Sequence, residues 1–104
     1  MMNKLSVLIK EPGRAPRHVN ISDSLQNLQK TVGGYVEAVT LYSDVVIPCD
    51  EDARIKRKPY CCTCAPIKTN LYGTIVLIGA DGEEFCDLPG TFAEWKTVFS
   101  WLWR

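Results

Sequence analysis

Alternating hydrophobic positions predict two strands at the start of the chain. Leu5, Val7 and Ile9 alternate within KLSVLIK, which is the pattern of a half-buried strand. The stretch EPG follows as a turn signal, because proline presets φ and glycine tolerates a positive φ. RHVNIS then places Val19 and Ile21 on an inward face, so we expect the two strands to form a hairpin.

After this hairpin the spacing changes to that of a helix. Leu25, Leu28 and Val32 fall on one helical face, and Ser22 or Asp23 is the expected N-cap. The glycine pair that follows predicts the C-terminal end of the helix, since glycine readily adopts the left-handed conformation required there.

The middle of the chain predicts further strands and one long connection. Residues 35–42 and 45–49 are predicted strands, and Pro48 indicates that the second is an edge strand or ends there. Residues 50–69 lack periodicity and predict an irregular loop. LYGTIVLIG is an unbroken apolar run, as expected for a central strand, and the Asp-Gly signal after it predicts a hairpin into FCDLP.

A capping box predicts a C-terminal helix that begins after Thr91, with Glu94 as the reciprocal partner. Trp101 and Trp103 lie partly off its apolar face, which leaves two alternatives. Either the chain leaves the helix near Ser100 and folds both rings onto its own sheet, or the rings form a two-fold contact in a homo-oligomer. The apolar face itself comprises Trp95, Val98, Phe99 and Leu102.

Together these elements predict one α+β domain over residues 1–104, with a largely antiparallel sheet of about five to six strands and two helices. A chain of this length can bury a core without a disulfide or a metal. The predicted core comprises Leu5, Val7, Ile9, Val19, Ile21, Leu25, Leu28, Val39, Leu41, Ile75, Leu77, Phe85, Trp95, Phe99 and Leu102.

Composition and charge argue against several classes of protein. The chain is 46% hydrophobic and 23% charged, as in ordinary globular proteins. Twelve basic residues balance twelve acidic ones, so the overall charge gives no reason to expect nucleic-acid or membrane binding. The first residues lack the pattern of a signal peptide, and we therefore expect a cytoplasmic protein with reduced thiols.

Three of the five cysteines lie within YCCTCAP. Cys61 and Cys64 have the spacing of half a zinc site, but the sequence has no second pair. A redox site would need a helix after the motif, and a catalytic thiol would need a base, although the chain has a single histidine. Inert thiols in a loop are favoured over a metal clip, and we expect Cys62→Ser to be tolerated. No other cofactor is indicated.

Two basic stretches are candidate anion sites. Arg14 and Arg17 flank the EPGRAPR turn, and Arg54, Lys56 and Arg57 lie in RIKRK. Arginine side chains and exposed backbone N–H groups commonly hold phosphates and carboxylates. The alternative for both stretches is solvated surface charge.

Catalytic motifs are missing from the sequence. It has no Walker loop, Rossmann glycine fingerprint or nucleophile elbow. The acidic run at 50–52 lacks the spacing of a calcium loop and is expected to be a solvated turn. We therefore expect a protein that is not an enzyme.

Three stretches, EPGRAPRHVNI, LQNLQKTVGGYVEAVTL and YGTIVLIGADGEEFCDLP, carry a resemblance to a known family. The chain resembles an uncharacterised domain-of-unknown-function family of small phage and mobile-element proteins. The resemblance implies a genomic setting rather than a reaction, and it is weakest at residues 50–66.

Two of the positions that match this family, Tyr35 and Glu37, have no obvious structural role. Glu37 shares its predicted strand face with Val39 and Leu41, and a carboxylate on an apolar face needs a partner. Glu37 is therefore a candidate ligand-binding residue. A salt bridge to Arg17 or Lys10 would explain it equally well.

These features lead to two functional hypotheses. The first is a non-enzymatic binding module of a phage or mobile element, acting in counter-defence by sequestering a small anionic, nucleotide-like ligand. The second is a zinc-clipped or loop-mediated interaction domain that occludes a host protein. Both are expected inside the host cell.

Overall fold

The computed structural model describes residues 4–103. Short 3₁₀ turns follow the fifth strand, at Ala65–Ile67, and the second helix, at Ser100–Trp103. The strands and helices in chain order are β1 Lys4–Lys10, β2 Arg17–Ser22, α1 Leu25–Val32, β3 Val36–Tyr42, β4 Val45–Asp50, β5 Tyr60–Cys64, β6 Thr69–Tyr72, β7 Ile75–Asp81, β8 Glu84–Cys86 and α2 Phe92–Val98.

Six of the strands form one antiparallel sheet in the order β2-β1-β7-β4-β3, with β8 paired to β7. The strands β5 and β6 form a separate antiparallel pair. The α+β class, the largely antiparallel sheet and the two helices are therefore confirmed. The hairpin of β1 and β2 is confirmed as well, with Val7 opposite Val19.

Hydrophobic cores lie on both faces of the six-stranded sheet. On one face α1 buries Leu28 and Val32 against Val7 and its neighbours. On the other face β5, β6 and α2 pack against Leu8 and Leu77. The prediction that β1 is half-buried is therefore wrong, because its second face lies under the β5–β6 pair and the C-terminal segment.

The strand β4 corrects a second expectation, since it lies inside the sheet rather than at its edge. It pairs with β7 at Val45 and Val46, and with β3 from Val45 to Asp50. Pro48 lies beyond the residues that pair with β7 and faces Ala38 of β3. Its missing N–H is therefore tolerated without ending the strand.

The predicted irregular loop at 50–69 contains a strand and the start of another. Residues 51–57 form successive turns, and β5 then pairs with β6 around the 3₁₀ turn. Gly73, with φ of 72°, separates β6 from β7, so LYGTIVLIG is two strands and not one. Only its second part, from Ile75 onward, is the central strand.

The N-terminal end of α1 also differs from the prediction. Ser24 is the N-cap, and its Oγ accepts a hydrogen bond of 3.1 Å from the Asn27 N–H. Leu25 was expected in the core but is 59% exposed, because the face that meets the sheet carries Leu28 and Val32. Gly33 ends the helix in the left-handed conformation, as predicted.

The C-terminal segment places both tryptophans against the core of its own chain, as in the first of the two alternatives. The capping box of Thr91 and Glu94 is confirmed, and the α-helix ends at Val98. The 3₁₀ turn then brings Trp101 into the core with 6% of its surface exposed, and Trp103 is half-buried. Val98 is exposed and does not belong to the buried face. The argument for a dimer from an exposed tryptophan pair is removed, and self-association stays a prediction.

A search of residues 4–103 for helices able to cross a membrane found none of sufficient length and hydrophobicity.

Truncations on the two faces of the sheet test this arrangement. We expect Val7→Ala and Ile75→Ala each to lower the free energy of unfolding by about 2–4 kcal/mol, because both side chains are fully buried and would leave cavities. Urea denaturation measures the change. The matched control is Val98→Ala, which should cost little because Val98 is exposed. An equal loss of unfolding free energy in Val7→Ala and Val98→Ala would show that the core between α1 and the sheet is misplaced.

Candidate functional site

A buried carboxylate at the end of β4 organises the region around the candidate site. The side chain of Asp50 is 1% exposed, and its Oδ2 lies 2.7 Å from Lys58 Nζ and 2.9 Å from Lys56 Nζ. Its Oδ1 accepts a hydrogen bond of 2.9 Å from the Asp52 N–H. Burial alone would raise the pKa of Asp50, but the hydrogen bonds from Lys58 and Lys56 outweigh burial and lower the pKa to about 2.

The same two lysines hold the C-terminal end of α1. Lys58 Nζ donates to the carbonyl of Val32 at 2.8 Å and to that of Gly33 at 3.2 Å, and Lys56 Nζ donates to Gly33 at 3.3 Å. The last carbonyls of a helix lack partners within it and carry partial negative charge, so ammonium groups stabilise them. Asp50, through its lysines, therefore fixes the position of α1 against the turns at 51–57.

Two glycines make this close approach of the segments feasible. A Cβ on Gly34 would lie 2.5 Å from Asp50 Oδ1 and 2.6 Å from Lys56 Nζ. A Cβ on Gly73 would lie 2.8 Å from Lys58 Cδ. Side chains at these positions would therefore displace the lysines from the carboxylate.

A surface concavity of about 450 Å³ lies beside this cluster, and we call it the α1 concavity. The side chains on α1 come from one helical face, since their positions are three and four residues apart. Tyr35 follows the glycine pair and is 69% exposed. The lining residues are Gln26, Gln29, Lys30, Gly34, Tyr35, Asp52 and Lys56.

Two of the residues predicted to bind a ligand, Tyr35 and Lys56, line the α1 concavity. Sequence reasoning missed Gln26, Gln29 and Lys30. A signal for them was present, because their spacing places them together on α1, away from Leu28. That pattern was used only to locate the apolar face of the helix.

Glu37 and Arg54 line a different and smaller cavity of about 150 Å³, to which Asp50 also contributes. The Arg54 guanidinium lies over the Tyr72 ring, 5.5 Å from its centroid. Glu37 of β3 pairs with Cys49 of β4. Burial raises the pKa of Cys49 to about 11, and the nearby charges of Glu37 and Asp50 add to this increase. The proposed salt bridge of Glu37 to Arg17 or Lys10 is not among the ion pairs of the described residues.

The arginines of the EPGRAPR turn share one carboxylate. Arg17 Nη2 lies 3.1 Å from Glu11 Oε1, and Arg14 Nε lies 3.7 Å from Glu11 Oε2. Arg57 is exposed in the turns at 51–57, with φ of 57°. None of these three arginines lines the α1 concavity.

The cysteine cluster lies in a strand and in the core, not in a loop. Cys61, Cys62 and Cys64 are all buried. The pairing of β5 with β6 shifts register between Tyr60 and Cys62, where the two adjacent cysteines are buried. The expectation that Cys62 lies in a loop is therefore wrong, and the tolerance of Cys62→Ser stays a prediction. Across residues 4–103 no three His, Cys, Asp or Glu side chains gather as a metal site. A zinc clip through Cys61 and Cys64 stays the alternative to inert thiols.

Acid should weaken the Asp50 cluster in a defined pH range. The pKa of Asp50 is about 2 in the folded chain and 3.8 ordinarily, so its stabilisation is complete above about pH 4 and is lost as pH falls through about 2. This contributes about 2 kcal/mol at neutral pH. We expect Asp50→Asn to be less stable than the natural chain in urea at neutral pH, with the difference shrinking toward pH 2.

The control for this measurement is Asp44→Asn, at an exposed position in the turn between β3 and β4. It should change the free energy of unfolding little at either pH. A difference between Asp50→Asn and the natural chain that stays constant with pH would contradict the assignment.

Comparison with protein families gives one match. A family model described as Domain of unknown function (DUF3846) matches residues 2–100. Searches of curated proteins and of solved structures gave no match.

Proposed function

The chain belongs to the DUF3846 family, whose description assigns no activity, and we propose that it is a non-enzymatic binding module for a small anionic, nucleotide-like ligand. The observation that carries this proposal is the α1 concavity, which combines an exposed aromatic ring, two amides and two ammonium groups. Its volume of about 450 Å³ is within the range of small-molecule sites.

The aromatic ring and the amides have the chemistry that a base requires. The Tyr35 ring is largely exposed and offers a face on which a base can stack. Gln26 and Gln29 each carry a carbonyl oxygen that accepts hydrogen bonds and an NH₂ group that donates them. Stacking gives affinity for any base, whereas the two amides discriminate between base edges.

The charges of the concavity favour a ligand with few phosphates. Lys30 and Lys56 are positive, and Asp52 is negative. Lys56 Nζ already donates to Asp50 and to the Gly33 carbonyl, but an ammonium has three donors. Asp52 repels a triphosphate and can accept hydrogen bonds from ribose hydroxyl groups. A nucleoside monophosphate or an ADP-ribose-type nucleotide therefore fits better than a nucleoside triphosphate.

The biological setting is part of the same proposal. The resemblance to small phage and mobile-element proteins implies that the chain acts inside a host cell. There a binding module without catalysis would lower the free concentration of a signalling nucleotide, which is a counter-defence role. This step rests on the genomic setting and not on a contact in the molecule.

A second candidate function is favoured by one exposed side chain. Ile55 is 82% exposed in the turns at 51–57, between Arg54 and Arg57. An exposed apolar side chain in a basic stretch is suited to contact a protein surface that combines a pocket with acidic residues. In this version the loop occludes a host protein.

Calorimetric titration with AMP, ADP-ribose and a cyclic dinucleotide tests the main proposal. We expect binding of at least one of them and a loss of about tenfold or more in Tyr35→Ala, since stacking on one base contributes about 1–3 kcal/mol. Tyr42→Ala is the matched control, because Tyr42 is also exposed but lies at the other end of β3. It should leave the affinity unchanged.

The absence of binding to all three nucleotides, or an equal loss in Tyr35→Ala and Tyr42→Ala, would contradict the proposal. A different result would favour the occluding function over nucleotide binding. In that case the chain binds none of the nucleotides but captures a host protein, and Ile55→Asp abolishes the capture whereas Val98→Asp does not.

A further inference from the structure

Lys10 is a buried cation that forms no ion pair with any described side chain. It is 4% exposed, and its Nζ donates to the backbone carbonyls of Glu11, at 3.0 Å, and Arg14. None of the ion pairs found within residues 4–103 includes Lys10. Asp50, which is buried to the same extent, has two ammonium partners. Burying a charge is costly unless it is paired, so Lys10 is the less completely compensated of the two buried charged residues in the described part of the chain.

A cavity of about 390 Å³ lies next to Lys10, between the β1–β2 turn and the C-terminal segment. We call it the Lys10 cavity. It lies on the face of the sheet that carries β5 and the C-terminal segment, whereas α1 packs on the opposite face. It is therefore a place separate from the α1 concavity. Its lining includes Lys10, Arg14, Tyr60, Cys61, Leu102 and Trp103.

The polar side of the cavity is positive. The Arg14 side chain is 79% exposed, and its carboxylate partner Glu11 is 3.7 Å from Nε, which leaves other guanidinium donors available. The Cys61 Sγ donates to the Lys10 carbonyl at 3.5 Å. A hydrogen bond from Cys62 lowers the pKa of Cys61 against the effect of burial, and the nearby Lys10 charge lowers it further. The Lys10 charge therefore acts on Cys61 as well as on the cavity.

The opposite side of the cavity is apolar and aromatic. Leu102 and Trp103 come from the C-terminal 3₁₀ turn, and Tyr60 comes from the start of β5. The Tyr60 hydroxyl also shares a hydrogen bond with the Thr63 hydroxyl. Such a wall is suited to a flat or branched apolar group and not to a second charge.

We propose that the Lys10 cavity is a second binding site, for a carboxylate or phosphate joined to an aromatic or apolar body. The acid group lies against Lys10 and Arg14 and supplies the negative charge that Lys10 lacks. The body lies against Tyr60, Leu102 and Trp103. This site is independent of the proposed nucleotide site, and either can exist without the other.

Thermal unfolding with four probes tests the proposal: inorganic phosphate, phenyl phosphate, phenylacetate and neutral phenylacetamide. We expect phenyl phosphate or phenylacetate to raise Tm in a concentration-dependent way, and the better of the two identifies the acid group. Phosphate alone should raise Tm less, and phenylacetamide should have no effect. The shift should disappear in Lys10→Met and weaken several-fold in Arg14→Gln. It should persist in Lys4→Met, the control from the exposed end of the same strand.

Alkylation of Cys61 gives a readout that is independent of stability. The measured quantity is the ratio of the alkylation rate with anionic iodoacetate to the rate with neutral iodoacetamide. In the natural chain, mass spectrometry of the modified peptide should give a higher ratio for Cys61 than for a free thiol. Arg14→Gln should reduce this preference, so the test holds even if Lys10→Met does not fold. A Tm shift equal for phenylacetate and phenylacetamide, or an unchanged alkylation preference in Arg14→Gln, would overturn the proposal.

Discussion

The ion pairs of Asp50 with Lys56 and Lys58 are the constraint on which one side of the molecule depends. They lie where the last residue of β4, the turns at 51–57 and the end of α1 meet, and each segment supplies part of the contact. A hydrogen bond of 3.0 Å from the Glu51 N–H to the Tyr35 carbonyl joins the start of β3 to the same point. Because the lysines cap helical carbonyls while neutralising a buried carboxylate, losing the carboxylate would release several backbone groups together.

This constraint explains how a short helix can present the α1 concavity, the surface that we propose binds a ligand. An eight-residue helix is marginal by itself, and its position here comes from packing at Leu28 and from the capped C-terminal end. With that end fixed, the glutamines of α1 and the ring of Tyr35 face one space instead of moving independently. Preorganisation of this kind reduces the entropy lost when a ligand binds. On the opposite face of the sheet, the buried Lys10 forms no ion pair with a carboxylate of residues 4–103. The Lys10 cavity beside it is the site that we propose for an acid group from a ligand.

Local signals in the sequence predicted the elements that depend on local contacts. The existence of the strand β1 and of the capping box at Thr91 can be predicted from neighbouring residues alone, and both predictions are confirmed. The identity of Lys56 and Lys58 as partners of Asp50 depends on a turn that brings them back to β4. The sequence alone therefore predicts only an anion site or solvated surface charge for this basic stretch. Likewise, the strand at Tyr60–Cys64 was hidden because its register shift breaks the alternation that marks a strand. For the candidate site, Tyr35 and Lys56 were predicted, whereas the helical amides were not.

Hydrogen exchange in Asp50→Asn, followed by NMR, tests most directly whether this cluster fixes the end of α1. The amides to follow are those of Gly33 and Gly34, which donate to the Gln29 carbonyl, and that of Lys58, which donates to Ala53. The account predicts that protection at these three amides falls together, and by more than protection in β1 and β2 falls. Unchanged protection at Gly33 and Gly34, or a loss equal to that in β1 and β2, would contradict it.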